Sequence, residues 1–569
     1  MPYPTVSGYE TEMQAIANAH PTVCSRFIIN APAGRTHEGR DIFALRIGPP
    51  PPFDPPSALV IAGMHAREWA PPDALLTFAR RLLDAYAASG PLRLRPFTDR
   101  TAAPPIVYPE VVLPWPTVRA IVDNLNTIIV PMSNPDGRIH SHTVKFWRKN
   151  RRPGAGTCPP PPSNFPAELA GTEGPIGVDP NRNFDITWDF EEYYSPVGAG
   201  AAGVSKDRCD LGQTYIGPSA ASEPETRAIQ KLIDDNKVRW FMDVHAHSRL
   251  VLHPWSMETN GGDSTQTFQN TDWNRSGARG GRDGPGPAYT EFVPDAAPTK
   301  LLTNLDTYAK AIRDAVLRCG GQAPAADRRA IARSTYRVGQ PLTLLYGVTG
   351  GSMDYAFSRQ FLPGGWGPIY AFALECGSDQ DGEGGYHPST RIYPKIEREV
   401  HAAVFALLEI AANAARRATP APATPATPAP STGPPRTSGD DTSCPFTVVS
   451  LGTLLEPYLA RIRHLRDEVL PHAAFGRIVA RAASRVYRAF GPPIVPLLRA
   501  SRAARLIART LIVAPVMLAI LLCGRATARV HTPARRAGIL AGLLAITAAS
   551  SVALAAAVGR MFWRAVGGG

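Results

Sequence analysis

The stretch Ala58-Leu59-Val60-Ile61-Ala62-Gly63-Met64-His65-Ala66-Arg67-Glu68-Trp69, followed by Ala70-Pro71-Pro72-Asp73, decides the fold class. Residues 58–62 are an uninterrupted apolar run of strand length and read as a buried strand. Small residues end the run, and residues 73–83 then carry apolar side chains at helical spacing. The order is strand, turn, helix. His65 and Glu68 occupy the turn, at the carboxyl edge of the strand, where open α/β sheets hold their ligands. An imidazole and a carboxylate this close in sequence can take one face of a Zn²⁺ ion. Two polar residues at a strand end are more often plain turn residues. A third ligand, a base and a substrate clamp must come from elsewhere in the chain.

Outward from this segment, strand candidates at 42–47, 127–131, 240–244 and 370–374 alternate with helix candidates. The helices are expected at 9–19, 73–86, 117–124, 222–236, 303–317 and 396–415. That alternation predicts one α/β domain over residues 1–415. Two loop-like stretches interrupt it: the Pro/Gly-rich residues 153–177 and the Gly/Asn/Asp-rich residues 259–298. Long loops inside a compact domain often border a site, although the second reads equally well as a surface insertion.

Residues 416–443 are low in complexity and rich in Pro, Ala and Thr, the composition of a disordered linker. Residues 444–510 form a basic segment of helical pattern, and 511–569 a hydrophobic tail. Within the tail, 537–559 carry no charge. At about 1.5 Å per residue that length spans a hydrocarbon core of about 30 Å. The tail is therefore expected to provide one or two membrane helices and a membrane association. Arginines lie on both sides of the apolar segments, so charge does not decide the orientation.

Of the 569 residues, 44% are hydrophobic and 19% charged, which suits a largely globular chain. The net charge of +12 owes much to arginines in the basic segment and tail. With no nucleic-acid-binding motif present, this charge points to a membrane surface and no nucleic-acid partner is expected. The 7 cysteines show no C-x-x-C spacing, which argues against a cysteine zinc site. Residues 1–10 contain neither a basic nor an apolar run, so no cleavable signal is read there.

The chemistry accumulates in order along the chain. His245 ends the strand-like run Trp240-Phe241-Met242-Asp243-Val244, at a second strand edge. Before it, Phe146-Trp147-Arg148-Lys149 follows the turn Asn134-Pro135-Asp136-Gly137, and Asp179-Pro180-Asn181-Arg182-Asn183 comes next. An Asn-Arg pair suits a carboxylate, since Arg offers a permanently charged planar fork and Asn a neutral donor. Further on, Tyr346-Gly347-Val348-Thr349-Gly350-Gly351-Ser352-Met353-Asp354 is a glycine-rich loop, and Glu375 closes the strand-like Phe372-Ala373-Leu374.

Each segment alone has an ordinary structural explanation. In this order they resemble the A/B subfamily of the M14 zinc carboxypeptidases, over about residues 5–412. The resemblance implies an α/β fold, a single-domain mixed eight-stranded twisted sheet with helices on both faces. It implies one Zn²⁺ held by His65, Glu68 and His245, with Asp179 hydrogen-bonded behind His65. Glu375 would be the general base, Arg148 the oxyanion donor, and Asn181, Arg182 and Tyr346 the grip on the substrate's C-terminal carboxylate. Arg67 would touch the substrate further along the cleft. Met353 stands where the family places the base of the pocket for the departing side chain, so an apolar or aromatic C-terminal residue is expected.

Cys158 and Cys209 flank the stretch where the family often carries a disulfide, which would favour an oxidising compartment. The implied function is a metallocarboxypeptidase acting on peptide and protein C-termini, membrane-associated, with its catalytic domain extracellular or lumenal. The competing expectation is a membrane-tethered, inactive binding protein on the same fold. The loop after His245 looks longer than the family norm, and the arginine-rich tail has no counterpart in the family pattern.

Overall fold

A computed structural model describes residues 3–418, apart from 31–33, 51–54, 101–104, 155–176, 194–211, 275–278, 280–288, 298 and 320–335. Its centre is a sheet of eight strands. In chain order these are β1 (Cys24–Ile28), β2 (Phe43–Ile47), β3 (Ser57–Ala62), β4 (Asn126–Val130), β5 (Trp240–Ala246), β6 (Leu250–Leu252), β7 (Arg337–Gly339) and β8 (Tyr370–Cys376). Their spatial order is β1-β2-β4-β3-β5-β8-β6-β7. The four middle strands β4, β3, β5 and β8 run parallel to one another. The β1–β2, β2–β4 and β6–β8 pairs are antiparallel, so the sheet is mixed.

The parallel middle strands follow from their sequence. Every residue of β3, β4 and β5 is buried, as expected for strands covered on both faces. The covers are α1 (Val6–Ala19), α2 (Ala70–Ala87), α3 (Trp115–Asn124), α4 (Pro135–Ser141), α5 (Pro224–Asp235), α6 (Leu301–Arg318), α7 (Ser352–Ser358) and α8 (Tyr393–Ala418). Helix α8 packs on β3, β5 and β8 and gathers α2, α3 and α6 beside it. Helix α7 packs on β5 and β8 and meets α5.

In α2 the buried residues Ala74, Leu75, Phe78, Ala79, Leu82 and Leu83 recur at three- and four-residue steps, which turns one stripe inward. Pro71 and Pro72 fit its first turn, where no intrahelical N–H bond is lost. Phe78, Phe241 and Phe372 are fully buried, each contributing about 1.5–3 kcal/mol of hydrophobic stabilisation.

The expected strands and helices all form, with ends shifted by a few residues. Strands β1, β6 and β7 were not anticipated; β6 and β7 have three residues each, too short for periodicity to mark. Within the stretch 259–298, Asn260–Gly261 pairs with Glu291–Phe292, and Asn260 N donates to Gln340 Oε1 of the body at 3.3 Å. Of the linker, basic segment and tail expected at 416–569, residues 416–418 instead continue α8, and the remainder, with the Cys158–Cys209 bridge, lies outside the described residues. Among the described residues no helix is long and apolar enough to cross a membrane. Cys24, Cys319 and Cys376 are buried free thiols.

Candidate metal centre and cleft

Three of the four middle strands, β3, β5 and β8, deliver their functional residues to one edge. β3 ends at Ala62, three residues before His65. Gly63 has φ +71°, a region that L side chains seldom enter, and it lets the chain turn there. The turn is then tied to the neighbouring segment. Ala66 N donates to Arg148 O at 3.0 Å. Asn134 Nδ2 donates to Met64 O at 3.2 Å and to Lys149 O at 3.1 Å. His245 and Glu375 come from β5 and β8, and the parallel register sets them side by side.

His65, Glu68 and His245 are buried, and their ligand atoms all lie within 4.8 Å of one another. His65 Nδ1 is 2.7 Å from Glu68 Oε1, and His245 Nδ1 is 3.0 Å from Glu68 Oε2. Both imidazoles therefore turn Nδ1 toward the shared carboxylate. Their Nε2 atoms face other carboxylates: His65 that of Asp179 at 3.2 Å, His245 that of Asp243 at 2.9 Å. A carboxylate on Nε2 fixes the tautomer that leaves the Nδ1 lone pair free. Two such imidazoles and one carboxylate are the donor set of an open catalytic zinc site, so the residues fit the ion. Burial alone would raise the Glu68 carboxyl. The two imidazoles against it more than offset this and hold it well below the usual carboxylate range.

Asp179 is fully buried and serves three segments. Oδ1 accepts from Asn181 N at 3.0 Å and faces His65, while Oδ2 accepts from Arg148 Nε at 2.8 Å, with Arg148 Nη2 also at 2.8 Å. Burial would raise this carboxyl too, but the guanidinium and imidazole hold it well below its usual range. Arg148 stays charged for the same reason, its loss of water outweighed by Asp179. Near the end of β8, Glu375 is half-buried. Loss of water around its carboxyl, with Glu68 nearby, pushes its pKa up to about 8.

Arg182 is buried, and its Nη2 donates to the Tyr346 hydroxyl at 3.2 Å. Its Nε has no protein partner. Tyr346 is exposed, and Asn181 adjoins Arg182 in a 3₁₀ turn. The glycine-rich loop closes on this turn: Gly350, at φ +61°, approaches so closely that a Cβ would lie 2.3 Å from Arg182 O. Ser352 N then donates to Asn181 Oδ1 at 2.8 Å. Met353 and Ala373 are buried nearby in sequence and register. Asp354 spends its carboxylate on Ser256 N and Oγ at 2.9–3.1 Å.

The expected ligands thus meet at one point, Glu375 stands beside them, and Arg148 joins through Asp179. Asn181, Arg182 and Tyr346 form a second group. Arg67 instead lays its guanidinium on the Tyr386 ring, 4.4 Å from the centroid. Tyr386, Asp243 and Ser352 escaped the reading of the sequence. Asp243 was legible in principle, since strand alternation puts residue 243 on the same face as His245.

A family model described as zinc carboxypeptidase matches residues 9–402. Human (Homo sapiens) carboxypeptidase B is 29% identical over 251 residues, 43% of this chain and 46% of that protein. Carboxypeptidase A1 of Bos taurus is 23% identical over 397 residues, 69% of this chain and 67% of that protein. The chain thus spans about half the length of the first curated relatives it matches. Among solved structures, the carboxypeptidase A from Helicoverpa armigera aligns with a TM-score of 0.45 at 19% identity, covering 73% of this chain and 74% of that one.

Proposed function

We propose, from the premise that this chain belongs to the zinc carboxypeptidase family, that it hydrolyses the last peptide bond of peptides and proteins and prefers apolar or aromatic C-terminal residues. The observation that carries this reading is the pairing of a two-histidine, one-glutamate donor set with an Asn-Arg clamp made of half-buried Asn181 and buried Arg182. His65, Glu68 and His245 hold the zinc. When bound, zinc supplies Lewis acidity, which polarises a carbonyl and acidifies water.

The remaining steps belong to the chain's own residues. Arg182 and Asn181 grip the terminal carboxylate, with Tyr346 at the clamp's exposed side, and so restrict cleavage to the end of the substrate. Arg148 has two nitrogens fixed by Asp179, and its other N–H groups are available to the oxygen of the scissile carbonyl as negative charge develops there. Glu375 accepts the proton of the attacking water and returns it to the departing nitrogen.

Relatives of both the A and B types match the chain, so the side-chain preference rests on residues. Met353 and Ala373 are apolar, and the acids adjacent to them are engaged, Asp354 by Ser256 and Asp243, the register partner of Ala373, by Ser352 and His245 through Oδ2. A departing Lys or Arg would be buried there without a partner, which is costly. A peptide ending in Phe is expected to show kcat/KM about 10²-fold above its Lys counterpart. Met353→Asp is expected to move the ratio toward Lys, and amidation of the terminal carboxylate to abolish cleavage. A Lys peptide cleaved as fast as the Phe peptide would sink the preference. Equal cleavage of the amide would sink the clamp.

A further inference from the structure

We propose that Asp243 is a positioning residue for the metal centre, doing for His245 what Asp179 does for His65. Asp243 and His245 lie two apart on β5, so their side chains share a face of the sheet. Asp243 Oδ2 is 2.9 Å from His245 Nε2. Ser352 Oγ, at the start of α7, donates to that same oxygen at 2.6 Å. All three residues are buried, Asp243 and Ser352 almost completely.

The hydrogen-bond geometry fixes who carries the proton. Ser352 N donates to Asn181 Oδ1, which sets the amide so that its Nδ2 points toward His245, 3.2 Å from Nε2. Two acceptor-seeking groups then face each other unless one has another partner. With Nδ1 turned to Glu68, where the metal would be held, Nε2 bears hydrogen and gives it to Asp243. Asn181 Nδ2 is thereby left with no acceptor on His245 and stays available to a substrate carboxylate. Ser352 holds both arrangements at once: its hydroxyl fixes Asp243 and its backbone fixes Asn181. The metal ligand, the clamp and the neighbouring Met353 are therefore set by one turn of chain.

A buried carboxylate on Nε2 orients the ring and strengthens Nδ1 as a donor, and removal of such partners typically weakens metal binding about 10–100-fold. The inference rests on the zinc reading of the site, and its test is read without turnover. Zinc affinity is measured by competition with a chelating dye on the full chain, alongside the visible spectrum of the Co²⁺-loaded protein. D243N is isosteric but replaces the charged acceptor, and is expected to bind zinc about tenfold more weakly with a shifted Co²⁺ spectrum. D243A is expected to lose up to about a hundredfold. If D243A fails to fold, D243N decides. Wild-type affinity and spectrum in D243N would overturn the proposal, as would a wild-type protein that binds no zinc. A wild type that binds zinc but cleaves no peptide would contradict the proposed function and leave the role of Asp243 standing.

Discussion

Glu375→Gln is expected to bind zinc as the wild type does and to lose about 10²–10⁴ in kcat. Gln keeps the shape of the side chain at the end of β8 but cannot take a proton from water. The loss corresponds to about 3–5 kcal/mol of barrier, the scale of one general base. The metal should be indifferent to the change, because the ligand atoms that converge come from His65, Glu68 and His245. KM should move little, since the clamp at Asn181 and Arg182 is separate from Glu375. Metal analysis with steady-state kinetics checks both halves. A variant that keeps zinc and turns over normally would remove Glu375 from the reaction.

Arg148→Ala is expected to lower kcat by about 10²–10³, the usual effect of removing a preorganised oxyanion donor. It should also lower stability, because buried Asp179 loses the guanidinium that faces its Oδ2 at 2.8 Å. Arg148→Lys separates these effects. A lysine restores a charge beside Asp179, so thermal stability should recover in large part. Its single ammonium cannot grip Asp179 through two nitrogens and still present further donors, so activity should stay low. Recovery of both by lysine would mean that Arg148 acts only as a countercharge.

Much of this site was legible because its residues lie at or just past the ends of long, mostly apolar strands. The runs into His65, His245 and Glu375 mark buried strands by themselves, and the loops after such strands collect ligands. The Asn181-Arg182 clamp was legible as chemistry, since a guanidinium next to an amide suits a carboxylate. Asp243 was not, because inside Trp240–Ala246 it looked like one polar interruption of a core strand; only its spacing from His245 pointed to the site. Ser352 was hidden differently. Its role depends on α7 packing across β5, a long-range contact with no local signature. Tyr386 is likewise brought to Arg67 by tertiary structure, with a separation of more than three hundred residues.

The central claim is that one zinc ion at His65, Glu68 and His245 lets this chain remove residues singly from a free C-terminus. The direct test is a mass-spectrometric time course on a peptide ending in Phe, with the purified protein metal-stripped and then restored with one equivalent of Zn²⁺. The stripped protein is expected to leave the peptide intact, and C-terminal residues are expected to be lost stepwise once zinc is returned. Cleavage without zinc, internal cleavage, or an intact peptide in the presence of the zinc-loaded protein would contradict it.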